Sequence, residues 1–312
     1  MIHAPFFLSP CDYLEKHAAD FDAVYLTRYH VAQDILPLIR QHAPHARVLF
    51  NNADLHFLRE LRRARSTQDP ALLEQAHHTR RQELEVISQV DVVLSYNTAE
   101  HAVIEACSDT KARIVTCPWV VDLPPDVPPL AGRHGLSFLG SFRHHPNAEG
   151  ITWFIREVLP AVTAALGDCP LAIYGADMTD NIRALASDQV RPQGYVAALA
   201  QAFDPHRVFV APLLSGAGLK GKVLAALSHG LPCVLSPIAA EGIGLRSGHD
   251  CFIAETPQDW LRALTRLSTE DDLWMQIAHN ARAYLRDSYS FAAGRARMRR
   301  AFEAADLFQS QA

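Results

Sequence analysis

The sequence predicts an α/β protein of two doubly wound, parallel-sheet domains, and three observations carry that reading. Short runs rich in β-formers alternate with helical patterns in both halves of the 312-residue chain. All 15 glycines fall at or beyond Gly132, so the two halves are built under different backbone rules. Between them Leu123-Pro-Pro-Asp-Val-Pro-Pro129 bars both helix and central strand, because each proline restrains its predecessor to extended geometry. The expected divisions are a first domain over 1–122, a linker over 123–135 and a second domain over 136–312.

In the first half, Ala23–Leu26, Arg47–Phe50, Asp91–Leu94 and Arg113–Thr116 read as strands, with helices near 31–41, 70–89 and 98–106. In the second, Leu136–Leu139, Leu171–Tyr174, Arg207–Val210, Cys233–Leu235 and Cys251–Ile253 read as strands, with helices near 148–166, 196–203, 219–229 and 257–268. Gly167 and Gly230 stand where helices would end. A helical tail follows over about 270–307, with apolar positions at Leu273, Ile277, Ala281 and Leu285.

Composition narrows the function. At 49% apolar and 20% charged the chain can bury a full core, and its net charge of −5 argues against general nucleic-acid binding. Six scattered cysteines without a Cys-x-x-Cys pair fit a reducing compartment. The stretch from Met1 to Phe7 lacks a signal-peptide pattern, and no apolar run is long enough to span a bilayer, so a cytoplasmic protein is expected. Arg282, Arg286, Arg295, Arg297, Arg299 and Arg300 make the terminal helices basic, a face that could touch anionic lipid at the inner side of a membrane or simply be solvated.

One segment bears chemistry: Ser215-Gly216-Ala-Gly218-Leu-Lys220-Gly-Lys222, after a strand and opening a helix. Its glycines allow close backbone approach, and the N–H groups of the helix start form an anion site. Lys220 and Lys222 at the positive end of a helix dipole are unfavourable unless an anion compensates. Gly216 to Lys222 formally matches the phosphate-loop spacing of nucleoside triphosphatases. Val223 stands where that loop needs a hydroxyl for Mg²⁺, so an anion grip is expected and phosphoryl transfer is not. The turn Gly140-Ser141-Phe-Arg143-His-His-Pro-Asn147 is a second grip at a strand's carboxyl end, with Arg143 facing phosphate or sugar oxygens and Asn147 capping the next helix.

The second half, through Phe138-Leu-Gly-Ser-Phe-Arg-His-His-Pro-Asn147, Trp153-Phe-Ile-Arg-Glu-Val-Leu-Pro160, Gly194-Tyr-Val196, Gly216-Ala-Gly-Leu-Lys-Gly-Lys-Val-Leu224 and Gly230-Leu-Pro-Cys-Val234, resembles the bacterial family-four glycosyltransferases. Asp54-Leu-His-Phe-Leu-Arg-Glu60 and the run from Glu83 to Ser95 extend the resemblance into the first half. The resemblance implies a GT-B fold of two Rossmann-like domains. It also implies a retaining transfer of sugar from a nucleotide-diphosphate donor to a glycan, lipid-linked or small acceptor, with no tightly bound cofactor and no metal. Gly140, Ser141, Arg143, Gly216, Gly218, Lys220 and Lys222 would hold the donor, Tyr195 would lie near its base, and His56, in a loop beside Asp54, would face the donor sugar.

The chain departs from that family in three places. Ala217 and Ala225 replace two glutamates eight positions apart, the second of which grips ribose in the family; Glu241 is the substitute expected here. Ser141 and Glu149 fall where the family has Arg and Lys, and the first domain begins without the family's opening strand and Gly-rich turn. These departures motivate an alternative: a non-catalytic homologue that binds a nucleotide sugar or a partner protein. Asp20-Phe-Asp22 precedes a strand instead of following one, the pairs His77-His78 and His144-His145 do not converge on a metal, and no Gly-x-Ser-x-Gly elbow is present.

Overall fold

The computed structural model describes residues 6–117 and 119–308; the start of the N-terminal stretch read above, Met1 to Pro5, lies outside them. The chain forms two compact units. Unit 1 comprises Met1–Pro118, Ala217–Leu219 and Gly294–Ala312, and unit 2 comprises Trp119–Gly216 and Lys220–Ala293.

Unit 1 is built on four parallel strands, β1 (Ala23–Thr27), β2 (Arg47–Asn51), β3 (Val92–Ser95) and β4 (Arg113–Thr116), in that spatial order. Alternation assigns their side chains to two apolar faces, as a parallel sheet covered on both sides requires. Val48, Phe50 and Val93 pack with Leu36, Ile39 and Ile87 on one face. Leu49, Val92 and Leu94 pack on the other with Ala301 and Ala305. The terminal helices expected with the second domain therefore divide: Asp271–Tyr289 stays in unit 2, whereas the chain from Gly294 joins unit 1, because the second face of this sheet needs an apolar cover. Ion pairs tie the two together at the sheet's rim, Asp306 with Arg47 at 3.2 Å and with Arg113 at 3.0 Å. Asp91, expected as the first residue of β3, lies just before it and takes Arg40 at 3.0 Å, Arg47 at 3.2 Å and the Val48 N–H at 2.8 Å.

Unit 2 has six parallel strands: β5 (Leu136–Leu139), β6 (Leu171–Tyr174), β7 (Val190–Gly194), β8 (Val208–Ala211), β9 (Cys233–Leu235) and β10 (Phe252–Ile253). Their order, β10-β9-β8-β5-β6-β7, winds outward in both directions from the β5–β8 pair. That is the switch point of a doubly wound sheet, where loops leaving adjacent strands in opposite directions open a crevice at the carboxyl ends. The core is anchored by Trp260, 1% exposed, with its ring 5.4 Å from that of Phe154.

Sequence periodicity missed β7, whose Val190-Arg-Pro-Gln-Gly194 has no apolar alternation; Pro192 is tolerated because β7 is an edge strand. The helix expected over 148–166 is two helices, His145–Glu157 and Leu159–Leu166, broken at Val158 because Pro160 cannot continue the first. Four helices were not anticipated, the short Asp180–Arg183 and Pro237–Ala240 and the longer Pro10–His17 and His56–Thr67. The last corrects the expected loop position of His56, which is the first residue of that helix. Of the basic residues of the tail, Arg282 is no surface group: it donates to the carbonyls of Ser228 at 2.8 Å and Pro124 at 2.7 Å. Among the described residues no helix is long and apolar enough to cross a membrane, and all six cysteines are free thiols.

Gly150 sets how closely the helix His145–Glu157 approaches the loop after β8, because a Cβ there would lie 2.2 Å from the Pro212 carbonyl oxygen. Gly150→Ala should gain about 1 kcal/mol of helix propensity and lose roughly 1–3 kcal/mol to overpacking. Thermal denaturation is expected to show a lower melting temperature than wild type; a higher one would mean that the loop after β8 is free to move.

Candidate active site

In unit 2 the loops leaving β5 and β8 meet at the switch point. Gly216 at φ +125° and Gly218 at φ +74° adopt backbone that side-chain-bearing residues rarely take, which explains the glycines of this loop. The helix Gly221–Ser228 begins after Lys220, its N-cap residue, with no side-chain cap bond. Lys222, in the first turn, is half-buried: its Nζ donates to Asn147 Oδ1 at 2.6 Å and lies 4.5 Å from the centre of the Phe138 ring. Burial, with the neighbouring Lys220 charge adding to it, lowers the Lys222 pKa from 10.5 to about 7.

Asn147 was expected to cap a helix. It lies instead inside His145–Glu157, whose N-cap is His144, and its amide joins the two loops by donating to the Ser141 carbonyl at 2.7 Å while its oxygen receives Lys222. Gly140 has to lack a Cβ here, since one would sit 2.7 Å from the Asn147 side chain. Glu149 ties the other side, accepting from Ser215 Oγ at 2.8 Å.

Asn147, with Leu139, Gly221 and Ala225, lies on the wall of a cavity of about 760 Å³. Gly140, Ser141 and Lys222 of the expected donor residues line it. Arg143 does not; its side chain is 79% exposed and pairs with Asp177 at 3.0 Å. Tyr195, just past β7, is 73% exposed, and Glu241 follows the helix Pro237–Ala240; neither lines the cavity. Gly216, Gly218 and Lys220 are also outside its lining. The tripeptide Ala217–Leu219 packs with unit 1, where the Gly218 N–H donates to the buried Glu100 carboxylate at 2.7 Å. Sequence reasoning missed three wall residues: Trp119, which packs on Gly221, Asp122, and His229, whose Nδ1 lies 2.8 Å from Asp204. The first two sit in a proline-rich stretch with no motif, and only the path of the chain reveals them.

In unit 1 the loop after β2 passes through Ala53 at φ +62°, a strained conformation held by the Asn51 side chain, whose Oδ1 accepts the Ala53 N–H at 2.9 Å. Asp54 follows and pairs with Arg59. His56 Nδ1 lies 3.2 Å from both the Asp54 carbonyl and Glu83 Oε1. Glu83, almost wholly buried, also accepts the N–H groups of His56 at 2.9 Å and Phe57 at 2.8 Å, so one carboxylate caps the helix and fixes the imidazole. Burial opposes charge on His56, but the Glu83 hydrogen bond and the Asp54 carboxylate outweigh it and raise its pKa above 6.5. Among the described residues no group of three or more His, Cys, Asp or Glu could hold a metal ion.

The second unit thus combines a long Gly-bearing loop, a helix start without a side-chain cap and a half-buried lysine at the switch point of a six-stranded parallel sheet. Residues 133–270 match the family described as glycosyl transferases group 1. An uncharacterised 44.6 kDa protein of the cps region of Klebsiella pneumoniae is 24% identical over 166 residues, covering 49% of this chain and 42% of that one. A mutant of TarM from S. aureus, in complex with fondaparinux, alpha-GlcNAc-glycerol and UDP, superposes with TM-score 0.71 at 14% identity over 95% of this chain and 59% of its own. HepE from Anabaena in complex with UDP-glucose gives TM-score 0.71 at 11% identity, over 93% of this chain and 81% of its own. The fold is that of the GT-B glycosyltransferases. The chain spans less than two thirds of the length of TarM and its match less than half of the Klebsiella protein.

Two titrations follow from this geometry. The unfolded chain keeps the Lys222 proton up to about pH 10.5, whereas the folded chain releases it near 7. The unfolded state thus binds more protons across that window, and stability rises with pH there. Relative to Lys222→Met, which has no such proton, wild type should gain stability in denaturant unfolding between pH 7 and 10; a constant difference would mean that Lys222 is not desolvated. Glu83→Gln should bring the His56 pKa, followed by NMR, below that in wild type, because burial then acts against a weaker partner. An unchanged value would remove Glu83 as the controlling group.

Proposed function

We propose that this protein is a glycosyltransferase that moves a sugar, with retention of configuration, from a nucleoside diphosphate donor to a glycan, lipid-linked or small-molecule acceptor. The observation that carries the reading is the half-buried Lys222 ammonium in the first turn of a helix without a side-chain cap, on the wall of a cavity at the switch point of the sheet. A cation there is costly in the free protein and becomes favourable when a diphosphate shares the site. The complexes of TarM and HepE with UDP or UDP-glucose support uridine diphosphate as the nucleotide.

In this reading Gly140, Ser141 and Lys222 contact the donor, and the loop of Gly216, Gly218 and Lys220 presents the helix start to its diphosphate. As the glycosidic bond breaks, the electron pair stays on the diphosphate oxygen, and charge growing there is stabilised by Lys222 and the helix N–H groups. The acceptor hydroxyl passes its proton to the departing diphosphate oxygen as its own oxygen bonds to the sugar carbon. Because the free ammonium already titrates near 7, donor binding pulls a proton onto Lys222 above that pH. His56, with Asp54 and held by Glu83, is assigned to the transfer step. Arg143, Tyr195 and Glu241 stand outside the cavity lining and are left out of the donor contacts.

Lys222→Ala should weaken UDP binding measured by calorimetry roughly 10- to 150-fold, the loss of a charged hydrogen bond. His56→Ala should leave UDP affinity unchanged and lower donor turnover on the order of 100-fold. An unaltered UDP affinity in the lysine variant would overturn the donor-site reading, and undiminished turnover in the histidine variant would remove it from catalysis.

A further inference from the structure

The lining of the cavity includes one lysine, Lys222, and one carboxylate, Asp122. Along the helix Gly221–Ser228 the groups that line it are Gly221, Lys222, Ala225 and Ser228. Beyond Lys222 this face carries nothing longer than a hydroxymethyl group over about 10 Å of helix. The Ser228 hydroxyl is already committed to the Ala225 carbonyl at 2.9 Å. The helix therefore offers no carboxylate to a ligand lying along it.

Another wall comes from the extended segment after unit 2 begins. Its backbone is pinned twice. The buried Val121 donates its N–H to the Tyr289 carbonyl at 2.9 Å, and the Pro124 carbonyl accepts from Arg282 at 2.7 Å. Asp122 lies between these anchors and is the one carboxylate among the described residues lining the cavity. Among the described residues it has no hydrogen bond or ion pair. A positioned carboxylate with open acceptor sites, in a cavity whose other charged wall group is a lysine, selects a ligand that is anionic at one end and donates hydrogen bonds further along. A vicinal diol meets that demand, since two hydroxyls can donate to the two carboxylate oxygens.

We propose that Asp122 receives the ribose hydroxyls of the nucleotide, an inference that rests on the donor-site reading above. It supplies from the chain segment 119–124 the carboxylate that Ala225 lacks, and it displaces Glu241, which is outside the cavity lining. Asp122 is exposed and unpaired, so its variants should melt with wild type.

The test is calorimetric binding of UDP and 2′-deoxy-UDP to wild type, Asp122→Asn and Asp122→Ala, with inorganic pyrophosphate titrated into wild type and Lys222→Ala. Wild type should prefer UDP about tenfold, the worth of a hydrogen bond to a charged group. Both Asp122 variants should bind the two nucleotides equally, at the wild-type affinity for the deoxy form. A preference for UDP that survives in the variants, or its absence from wild type, overturns the assignment. If pyrophosphate binding still depends on Lys222 in that case, the anion grip stands and only the ribose contact falls. If wild type binds neither nucleotide nor pyrophosphate, the donor-site reading fails and takes this inference with it.

Discussion

A lysine ammonium drawn partly out of water is the constraint that ties together the loops after β5 and β8 in the second unit. Lys222 is held by one amide oxygen and one aromatic face, and neither carries a full negative charge. Such a site is electrostatically unfinished, because the desolvation of a cation is only partly offset by a dipole and a quadrupole. The partners that do hold it impose further conditions. Asn147 has to reach from within a helix to the Ser141 carbonyl, and residue 140 has to be glycine to let it pass. Ser215 and Glu149 close the same arrangement from the other loop. Sheet order is what makes this feasible: β5 and β8 are far apart in sequence but neighbours in the sheet, so the loops after them converge.

The first unit solves a different problem with a similar economy. Its sheet has two apolar faces and therefore needs cover on both, and the distant C-terminal helix supplies the second. At the end of β2, the strained Ala53 turns the chain so that a new helix can start at His56. That helix has no capping side chain of its own at the N-cap. Glu83 takes the role from another helix, and in doing so fixes an imidazole whose protonated form it favours. One buried carboxylate thus links helix stability to the proton affinity of the histidine.

Charge placement gives the nucleotide-diphosphate reading its physical sense. A cavity bordered by a cation whose pKa is lowered to about 7 and by an unpaired carboxylate offers different chemistry to the two ends of a ligand. On the proposed reading it favours an anion near Lys222 and hydroxyl donors near Asp122. The GT-B fold provides the frame, and in the proposed reading these two side chains select what it holds.

The sequence by itself determined the α/β class, nine of the ten strands and the Gly-bearing loop that opens the helix at Gly221, because these are local matters. Apolar alternation, glycine at positive φ and a helix start after a strand are all written in neighbouring residues. β7 escaped because an edge strand with Pro192 has no such pattern, and the helix at His56 because its cap lies 27 residues away in sequence. Only the tertiary structure decided which loop residues share a cavity. It left Arg143 and Tyr195 in solvent, put Asn147 between Lys222 and Ser141, and brought the motif-free Asp122 onto the wall. Those outcomes depend on strand order and on backbone anchors from remote segments. No short-range pattern of residues encodes either, so the ligand-facing chemistry becomes legible only once the chain is folded.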